Sequence, residues 1–292
     1  MNIISILYML FYMRVSSFAY NSLFKLREPS QLRRSLQEEM AKDYKYLTYT
    51  KSKKILHEKL ATIDIYGDNE EETNVEHIFP QYYFKNHSKK MMMRSDLHHL
   101  YLCNCKLNGL RQNFKYVDSK DAANYENENI KVLDMKGRKV SSNEELFKKR
   151  GYLMVTHRKR KLFIPSMYSR GKIARSLSYF AIMYDYVDEL ENVIDIRTLL
   201  EWNLKDPVDN DEYLKNVVIY KYQGNINPFI LNPDLMLYCF ADKVNIDDRL
   251  LSKKRYSYID PFHAIDYLVS DINELESQRS HDDKLIRKLY RK

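Results

Sequence analysis

Hydrophobic residues recur at helical spacing in several parts of the chain. Between residues 30 and 63 they recur every three or four positions, and Ser30 precedes the first of them as a helix N-cap would. Between residues 169 and 190 they form one stripe, which predicts a long amphipathic helix. The pattern from 194 to 220 predicts one or two more helices. The stripe of the long helix consists of Ile173, Leu177, Phe180 and Tyr184.

The remaining segments lack a helical period. Residues 64–73 are acidic and turn-like, and residues 119–150 are polar, with a turn expected near Lys136 between short strands. Residues 240–292 form a basic C-terminal extension with a charged helical pattern from Asp266 onward. We interpret the extension as either a docked helical segment or an interaction arm.

The N-terminus has an apolar run at residues 3–13, followed by small residues at Ser17 and Ala19. This pattern resembles a secretory signal peptide spanning residues 1–19, although no positive charge precedes the run and Arg14 follows it. The run is too short to span a membrane comfortably. We therefore expect a secreted or otherwise extracytoplasmic protein. The alternative is an intracellular protein with a buried N-terminal helix or a membrane-surface anchor.

Length, composition and charge narrow the class of protein. The 292 residues suffice for one large domain or two small ones, and a hydrophobic fraction of 44% indicates a folded chain. The net charge of +8 favours polyanionic partners. Residues 151–183 contain basic residues and no Asp or Glu, which indicates either a solvated basic face or a surface that follows phosphates. The 3 cysteines exclude a disulfide scaffold. A zinc site at His98, His99 and the nearby cysteines is disfavoured by its spacing.

The most informative segment is Asn-Val-Glu-His-Ile-Phe-Pro at residues 74–80, with Asn108 further along the chain. A carboxylate and an amide oxygen suit a hard divalent cation, so Glu76 and Asn108 are candidate metal ligands. The imidazole of His77 titrates near neutral pH and is a candidate general base that takes a proton from water. Together these groups suffice for the one-metal hydrolysis of a phosphodiester.

The position of this pair in its strand can be anticipated. Adjacent residues of a strand point to opposite faces, so Glu76 and His77 cannot both face one phosphate from the middle of a flat strand. Pro80 ends ladder pairing and restricts the residue before it. We therefore expect the pair at the end of a strand, with its two side chains diverging.

Three further residues are expected near the pair. Asp96 and His98 lie in the segment Asp-Leu-His-His-Leu. They either support the site by orienting the groups that act in it or are satisfied polar groups beneath the strand. Arg111 follows Asn108 by three residues, on the same helix face, and either contacts phosphate or pairs with a carboxylate.

In their order along the chain, these motifs resemble the bacterial endonuclease I family over about residues 30–235. The resemblance implies an α+β fold: a mainly helical single domain around a ββα-metal (His-Me finger) module at residues 74–118, with Asn108 on its helix. It also makes Arg175 a candidate phosphate-binding residue, with a surface arginine as the alternative. The motifs that match are Glu76-His77, Asp96–Leu100, Asn108-x-x-Arg111-x-Asn113, Gly171–Arg175, Trp202, Asp206-Pro-Val and Gln223–Phe229.

The function that the resemblance implies is a metal-dependent nuclease of low sequence specificity. It would cleave DNA, with RNA as a further substrate, to 5′-phosphate and 3′-hydroxyl ends. Magnesium is the expected cofactor, with manganese or calcium as alternatives, and we expect a monomer without an obligate protein partner. The second hypothesis is a catalytically inactive nucleic-acid-binding protein that retains the fold. A membrane-surface protein is the third.

The chain departs from the usual family pattern at a few positions. The family has Trp where this chain has Phe79, and Pro-Thr-Asp where it has residues 102–104. It also tends to have Arg where this chain has Lys215 and Ile226. We expect these differences to alter contacts in the substrate groove and substrate preference, and to leave Glu76, His77 and Asn108 untouched.

Overall fold

The fold is described from a computed structural model of the chain. The apolar run at 3–13, the basic residues 158–160 and the tail from Asp266 lie outside the described residues. Within the described ranges, none of the helices combines the length and apolarity that crossing a membrane requires. The structure describes residues 28–60, 65–66, 72–118, 131–134, 136, 138–140, 151–155 and 161–244.

Helices form most of the described chain, as the apolar spacing predicts. Short 3-10 turns connect several of them, including one at Leu97–His99. The helices are α1 (Pro29–Lys42), α2 (Tyr49–Lys59), α3 (Gln81–Phe84), α4 (Lys90–Ser95), α5 (Cys105–Arg111), α6 (Arg170–Met183), α7 (Ile196–Lys205), α8 (Asn210–Gln223), α9 (Pro228–Leu231) and α10 (Leu235–Cys239).

Two helix boundaries differ from the sequence prediction. The N-cap of α1 is Glu28 instead of Ser30, and Pro29 is its first residue. Proline suits that position because its fixed φ and missing N–H cost nothing in the first turn. The long helix α6 ends at Met183 instead of near residue 190, and Asp185 just beyond it adopts a φ of 58° that no α-helix continues.

A two-stranded sheet and a helix form a compact ββα unit. Strand β1 (Thr73–His77) pairs antiparallel with β2 (Leu100–Asn104), so that His77 lies opposite Leu100. Helix α5 follows β2 directly, because the side chain of Asn104 accepts hydrogen bonds from the first N–H groups of the helix. The ββα order expected for residues 74–118 is therefore observed, with the Glu76-His77 pair at the end of β1.

A second, five-stranded sheet packs beside this unit. Strand β3 pairs parallel with β7, and the other neighbours are antiparallel, in the order β3-β7-β6-β4-β5. The carboxylate of Asp134 accepts from the backbone N–H groups of Lys136 and Arg138, which forms the turn expected there. The strands are β3 (Lys115–Tyr116), β4 (Lys131–Leu133), β5 (Lys139–Val140), β6 (Tyr152–Val155) and β7 (Lys161–Ile164).

Helix α6 lies at the centre of the main core. Its apolar stripe is buried, and so are its remaining side chains apart from Lys172. The α+β architecture is confirmed, with helices around a small ββα unit and one further sheet. The packing continues beyond residue 235, since Cys239 and Phe240 are both fully buried.

The positions at which the chain departs from the family pattern are also inside the protein. Phe79 is fully buried and stacks on Phe180, with 4.5 Å between the ring centroids. Lys215 and Ile226 are 2% and 4% exposed. These residues face the interior, so any effect on groove contacts or substrate preference would act through the packing around them.

Candidate active site

Glu76 lies near the end of β1 and is buried, with 3% of its surface exposed. Its Oε1 atom accepts a hydrogen bond from the hydroxyl of Tyr66 at 3.0 Å and lies 3.1 Å from Nη1 of Arg111. Burial raises the pKa of this carboxyl, while the charge of Arg111 and the bond from Tyr66 act in the opposite direction. Nearby positive charge therefore decides whether Glu76 is anionic.

Arg111 occupies the interior between α5 and β1. Its guanidinium faces Glu76 and donates to the carbonyl oxygens of Ile78 at 2.8 Å and Gln112 at 2.8 Å. The side chain is 1% exposed. Of the two roles considered for Arg111, the geometry favours the pair with a carboxylate over contact with phosphate.

Asn108 is half-buried on α5, one turn before Arg111. Its Nδ2 atom donates to Oδ1 of Asn74 at 2.7 Å and to the carbonyl oxygen of Val75 at 3.2 Å. Both contacts use the amide nitrogen, and the amide oxygen makes no hydrogen bond to a described residue. Because Val75 directly precedes Glu76, α5 holds this oxygen next to the strand that carries the carboxylate.

The tautomer of His77 follows from its two hydrogen bonds. Its Nε2 atom lies 3.0 Å from the carbonyl oxygen of Arg94, and Nδ1 lies 3.2 Å from Nε2 of Gln81. A carbonyl oxygen can only accept, so Nε2 of His77 carries the proton. In the neutral ring Nδ1 is then the acceptor, which agrees with the side-chain amide of Gln81 donating to it.

The surroundings of His77 keep it neutral. The side chain is 6% exposed, stacks on Tyr49 with 5.6 Å between ring centroids, and meets the ring of His99 at 5.4 Å. Burial lowers the pKa of His77 to about 4, and the positive charges of Arg94 and Arg111 contribute to the lowering. At neutral pH the imidazole is therefore unprotonated at Nδ1.

Glu76 and His77 point in different directions, as the strand geometry predicts. Glu76 contacts Tyr66 and Arg111, whereas His77 contacts Tyr49 and Gln81. The carboxylate and the imidazole thus lie on either side of the end of β1 and share no contact with one another.

Asp96 and His98 lie deeper in the protein. The carboxylate of Asp96 accepts from the hydroxyls of Tyr179 and Tyr184 at 2.9 and 2.8 Å and from Nε2 of Gln223 at 2.8 Å. Nε2 of His98 lies 3.3 Å from the carbonyl oxygen of Asn225. Among the described residues neither side chain touches Glu76, His77 or Asn108, so they brace the segment between α4 and β2.

Arg175 is fully buried and held by protein groups on several sides. Its Nε and Nη2 atoms donate to the two carboxylate oxygens of Glu212 at 2.8 and 2.5 Å. Its Nη1 atom donates to Oδ1 of Asn203 at 3.1 Å and to the carbonyl oxygen of Asp206 at 2.9 Å. This geometry joins α6, α7 and α8 and directs no donor of Arg175 toward the Glu76-His77 pair.

Four residues that contact the pair were not predicted from the sequence. Tyr66 lies within the segment 64–73 that is expected to be a turn, and no pattern indicates that it meets Glu76. Of the four, only Gln81 could have been anticipated from the sequence, because it lies four residues after His77, at the start of a short helix. Tyr49 and Arg94 come from α2 and α4, and only tertiary packing brings them to the ring of His77.

The oxygen atoms near the end of β1 suit a hard cation. Among the described residues no three His, Cys, Asp or Glu side chains converge as a metal cluster would require. Magnesium needs fewer, since it keeps several waters and takes one or two protein ligands plus substrate oxygens. The carboxylate of Glu76, and the amide oxygen of Asn108, which makes no hydrogen bond to a described residue, are of the ligand types that such a site would need.

Sequence comparison relates the chain to known nucleases. The sequence profile described as Endonuclease I matches residues 28–234. Over 80 residues the chain is 39% identical to an extracellular ribonuclease of Bacillus subtilis (strain 168), covering 22% of this chain and 28% of that protein. It is 30% identical over 139 residues to an extracellular deoxyribonuclease of Aeromonas hydrophila, covering 47% and 49%. These matches span at most about half the length of either curated relative.

Proposed function

Because the chain belongs to the endonuclease I family, we propose that it is a metal-dependent nuclease that hydrolyses phosphodiester bonds with little sequence specificity. The proposed substrate is DNA, with RNA as a second substrate, since one relative is named a deoxyribonuclease and another a ribonuclease. The products would be 5′-phosphate and 3′-hydroxyl ends. The observation that carries the proposal is the fixed tautomer of His77, which directs an unprotonated nitrogen away from the interior carbonyl of Arg94.

In this mechanism Nδ1 of His77 removes a proton from the attacking water. A pKa of about 4 ensures the neutral form but makes a weak base. A substrate phosphate beside the ring would raise that pKa toward neutrality, because an anion favours the imidazolium. The amide of Gln81 occupies Nδ1 in the free protein and has to yield this position to water.

Glu76 and the amide oxygen of Asn108 are the proposed ligands of a magnesium ion, with manganese or calcium as alternatives. When bound, the ion would act as a Lewis acid that stabilises the leaving 3′ oxygen. Arg111 holds the Glu76 carboxylate in position from the interior side, and the contact of Asn108 with Val75 orients its amide. Arg111 therefore has a positioning role in this proposal, Asp96 and His98 support the fold below it, and Arg175 does the same at the junction of α6, α7 and α8.

Digestion assays test the proposal directly. The wild-type protein should degrade plasmid DNA and a structured RNA with magnesium, and lose this activity with chelator. His77→Ala should reduce the rate by roughly 10²–10⁴-fold, the usual contribution of a general base. His57→Ala is the matched control, because His57 is exposed on α2. Absence of cleavage by the wild-type protein with magnesium, manganese and calcium would rule the proposal out.

A nucleic-acid-binding protein without activity is the second candidate. The 6% exposure of His77 and the amide of Gln81 on its Nδ1 atom favour it, because both oppose access of water to the base. This candidate requires that DNA binding persist in chelator while no hydrolysis is detected. Gln81→Ala frees Nδ1 of His77, so in a nuclease it should accelerate cleavage, whereas in an inactive binding protein cleavage stays undetectable in both the variant and the wild type.

We further propose that the protein is exported as a monomer, with residues 1–19 as its signal peptide. Both relatives are named extracellular, and export would protect the producing cell from an unspecific nuclease. N-terminal sequencing of protein recovered from the medium should begin just after residue 19. Recovery of the full-length chain from the cytoplasm alone would contradict export.

A further inference from the structure

The segment between Gln81 and Arg94 is attached to His77 at both ends. Gln81, its first residue, donates to Nδ1 of the ring, and Arg94, its last, supplies the carbonyl that accepts from Nε2. The segment consists of α3, α4 and the short connection between them. Whatever binds along this segment therefore lies beside the imidazole.

The charge of this segment is of one sign. From Ile78 to Ser95 there is no Asp or Glu, whereas Lys85, Lys89 and Lys90 are all exposed. In addition, 58% of Tyr82 is exposed, and Nζ of Lys85 lies 4.7 Å from the centre of its ring. One lysine beside an exposed aromatic ring and two further exposed lysines, without acidic neighbours in sequence, suit the phosphates and bases of a nucleic acid strand.

Arg94 differs from the other arginines near the site. The guanidinium groups of Arg111 and Arg175 face carboxylates, but that of Arg94 lies over the ring of Tyr49, at 4.3 Å from its centre. Among the described residues its side chain has no carboxylate partner, and its buried Nε has no hydrogen-bond acceptor. The side chain as a whole is half-buried, and its charge acts on the neighbouring His77.

Resting on the nuclease function proposed above, we propose that Gln81–Arg94 is the phosphate-binding edge of the site and that Arg94 contacts the phosphate being cleaved. A guanidinium stacked on tyrosine is pre-oriented and keeps its N–H donors available for phosphate oxygens. The lysines of the same segment contact flanking phosphates. In this proposal Arg94 contacts the reacting phosphate, and the lysines of the segment attract the flanking phosphates through their charge.

Kinetic measurements can distinguish the role of Arg94 from that of the lysines. With a short single-stranded oligonucleotide and magnesium, the cleavage rate at saturating protein reports contact with the reacting phosphate, whereas the dissociation constant reports flanking contacts. Arg94→Met should lower the saturating rate by roughly 10²–10³-fold, as loss of a single transition-state donor does. The combined change of Lys85, Lys89 and Lys90 to Gln should leave that rate within a few-fold. It should weaken binding and reduce the salt slope, by about 0.7 for each lost contact on a single strand.

Controls distinguish this role from a structural one. The bond from His77 is to the backbone carbonyl of Arg94, so replacing the side chain preserves it. Added methylguanidinium should restore part of the rate of Arg94→Ala, which a merely structural arginine would not permit. Arg197→Met removes the same charge from an exposed position on α7 and should change neither quantity.

A saturating rate in Arg94→Met within three-fold of an active wild type would overturn the proposal while leaving the nuclease function intact. So would a loss that appears only in the dissociation constant. An inactive wild-type protein would instead refute the function on which the proposal rests.

Discussion

Buried charged side chains in this protein are held by specific partners. Glu76 faces Arg111, and Arg175 faces Glu212, with all four side chains nearly inaccessible to solvent. A charge left unpaired in such a place costs several kcal/mol, so each pair constrains which substitutions the core accepts. From sequence alone, an arginine that binds phosphate and one that neutralises an internal carboxylate are indistinguishable.

Replacing Glu212 tests this interpretation of Arg175. Glu212→Gln leaves the Arg175 charge buried without its carboxylate and should lower the free energy of unfolding by about 3–5 kcal/mol. Glu58→Gln makes the same chemical change in an exposed pair with Lys54, whose Nζ is 3.7 Å away, and should have no measurable effect. Denaturant unfolding of both variants provides the comparison. Equal stability of the two variants would contradict a structural role for the Arg175–Glu212 pair.

The pH dependence of stability follows from the buried histidines. Burial, with the nearby Lys215 charge, lowers the pKa of His98 to about 3, whereas an unfolded histidine titrates near 6.5. Between these values the unfolded chain binds a proton that the folded chain does not, so stability is lost as the pH falls below 6.5. When the pH falls from 6.5 to 5.0, the titration of His98 should lower the free energy of unfolding by about 2 kcal/mol.

His98→Gln isolates this contribution. The variant keeps a polar group but does not titrate, so its stability should fall less steeply with decreasing pH than that of the wild-type protein. Urea unfolding at pH 7.5, 6.5 and 5.0 measures the difference, and the shared titrations of His77, His99 and Asp96 cancel in the comparison. Parallel curves for the two proteins would exclude His98 as a source of the dependence.

Polar capping residues and a glycine determine where several helices begin and end. The side chains of Asn104, Asp195 and Asp209 cap α5, α7 and α8 by accepting from their first N–H groups. Helix α8 ends at Gly224, whose φ of 85° lies in the left-handed region. Gln223 and Asn225 on either side of this glycine hydrogen-bond Asp96 and Tyr179, so the end of α8 also fixes the segment below the site.

Alanine should have opposite effects at Gly224, which ends α8, and at Gly109 within α5. A Cβ at Gly224 would lie 2.2 Å from the carbonyl oxygen of Asp43, and its φ is unfavourable for any other residue. Gly224→Ala should therefore destabilise the protein by about 1–3 kcal/mol. A Cβ added at Gly109 on α5 would have no atom within 4 Å. Gly109→Ala should therefore raise the free energy of unfolding by about 0.5–1 kcal/mol. Thermal unfolding of both variants tests the pair, and stabilisation by Gly224→Ala would contradict the account.

At the scale of the whole molecule, the first and last described helices lie against each other. Nη1 of Arg33 on α1 donates to the carbonyl oxygen of Cys239 at 2.6 Å and to Asp242 at 2.7 Å. Phe240 is fully buried in the main core. The nuclease domain expected at residues 30–235 therefore depends on packing that continues to about residue 244.

Two truncations test where the folded unit ends. Both chains start at Glu28, and the one that ends at Val244 should unfold cooperatively. The one that ends at Leu235 loses Cys239, Phe240 and the Arg33 contact with Asp242. Its free energy of unfolding should be lower by about 3–5 kcal/mol, the usual effect of deleting one buried aromatic side chain. Circular dichroism melting curves compare them, and equal stability would place the boundary near residue 235.

Local signals in the sequence were sufficient for part of the structure. The apolar period located α2, α7 and α8 to within a few residues, and it located the start of α6 but not its end at Met183. The Glu76-His77 pair was recognisable from residue type and adjacency, whereas Asn108, further along the chain, was recognised with the ordered motifs that resemble the family. Strand alternation also predicted that the side chains of Glu76 and His77 would diverge at the end of β1. Apart from Asn108, each of these inferences needs only residues that are close together in the chain.

Partners that are distant in the chain were decided by tertiary structure alone. Tyr66 on Glu76 and Tyr49 on His77 are contacts between different elements, and no periodic pattern encodes them. The strand order of the five-stranded sheet was also decided by tertiary structure, because its strands are too short to show an alternation of apolar and polar residues. The sequence determined which groups could perform phosphodiester chemistry. Packing decided which arginines pair with internal carboxylates, and it left Arg94 over a tyrosine ring beside His77. The reason is physical: burial and pairing depend on what surrounds a charge in space.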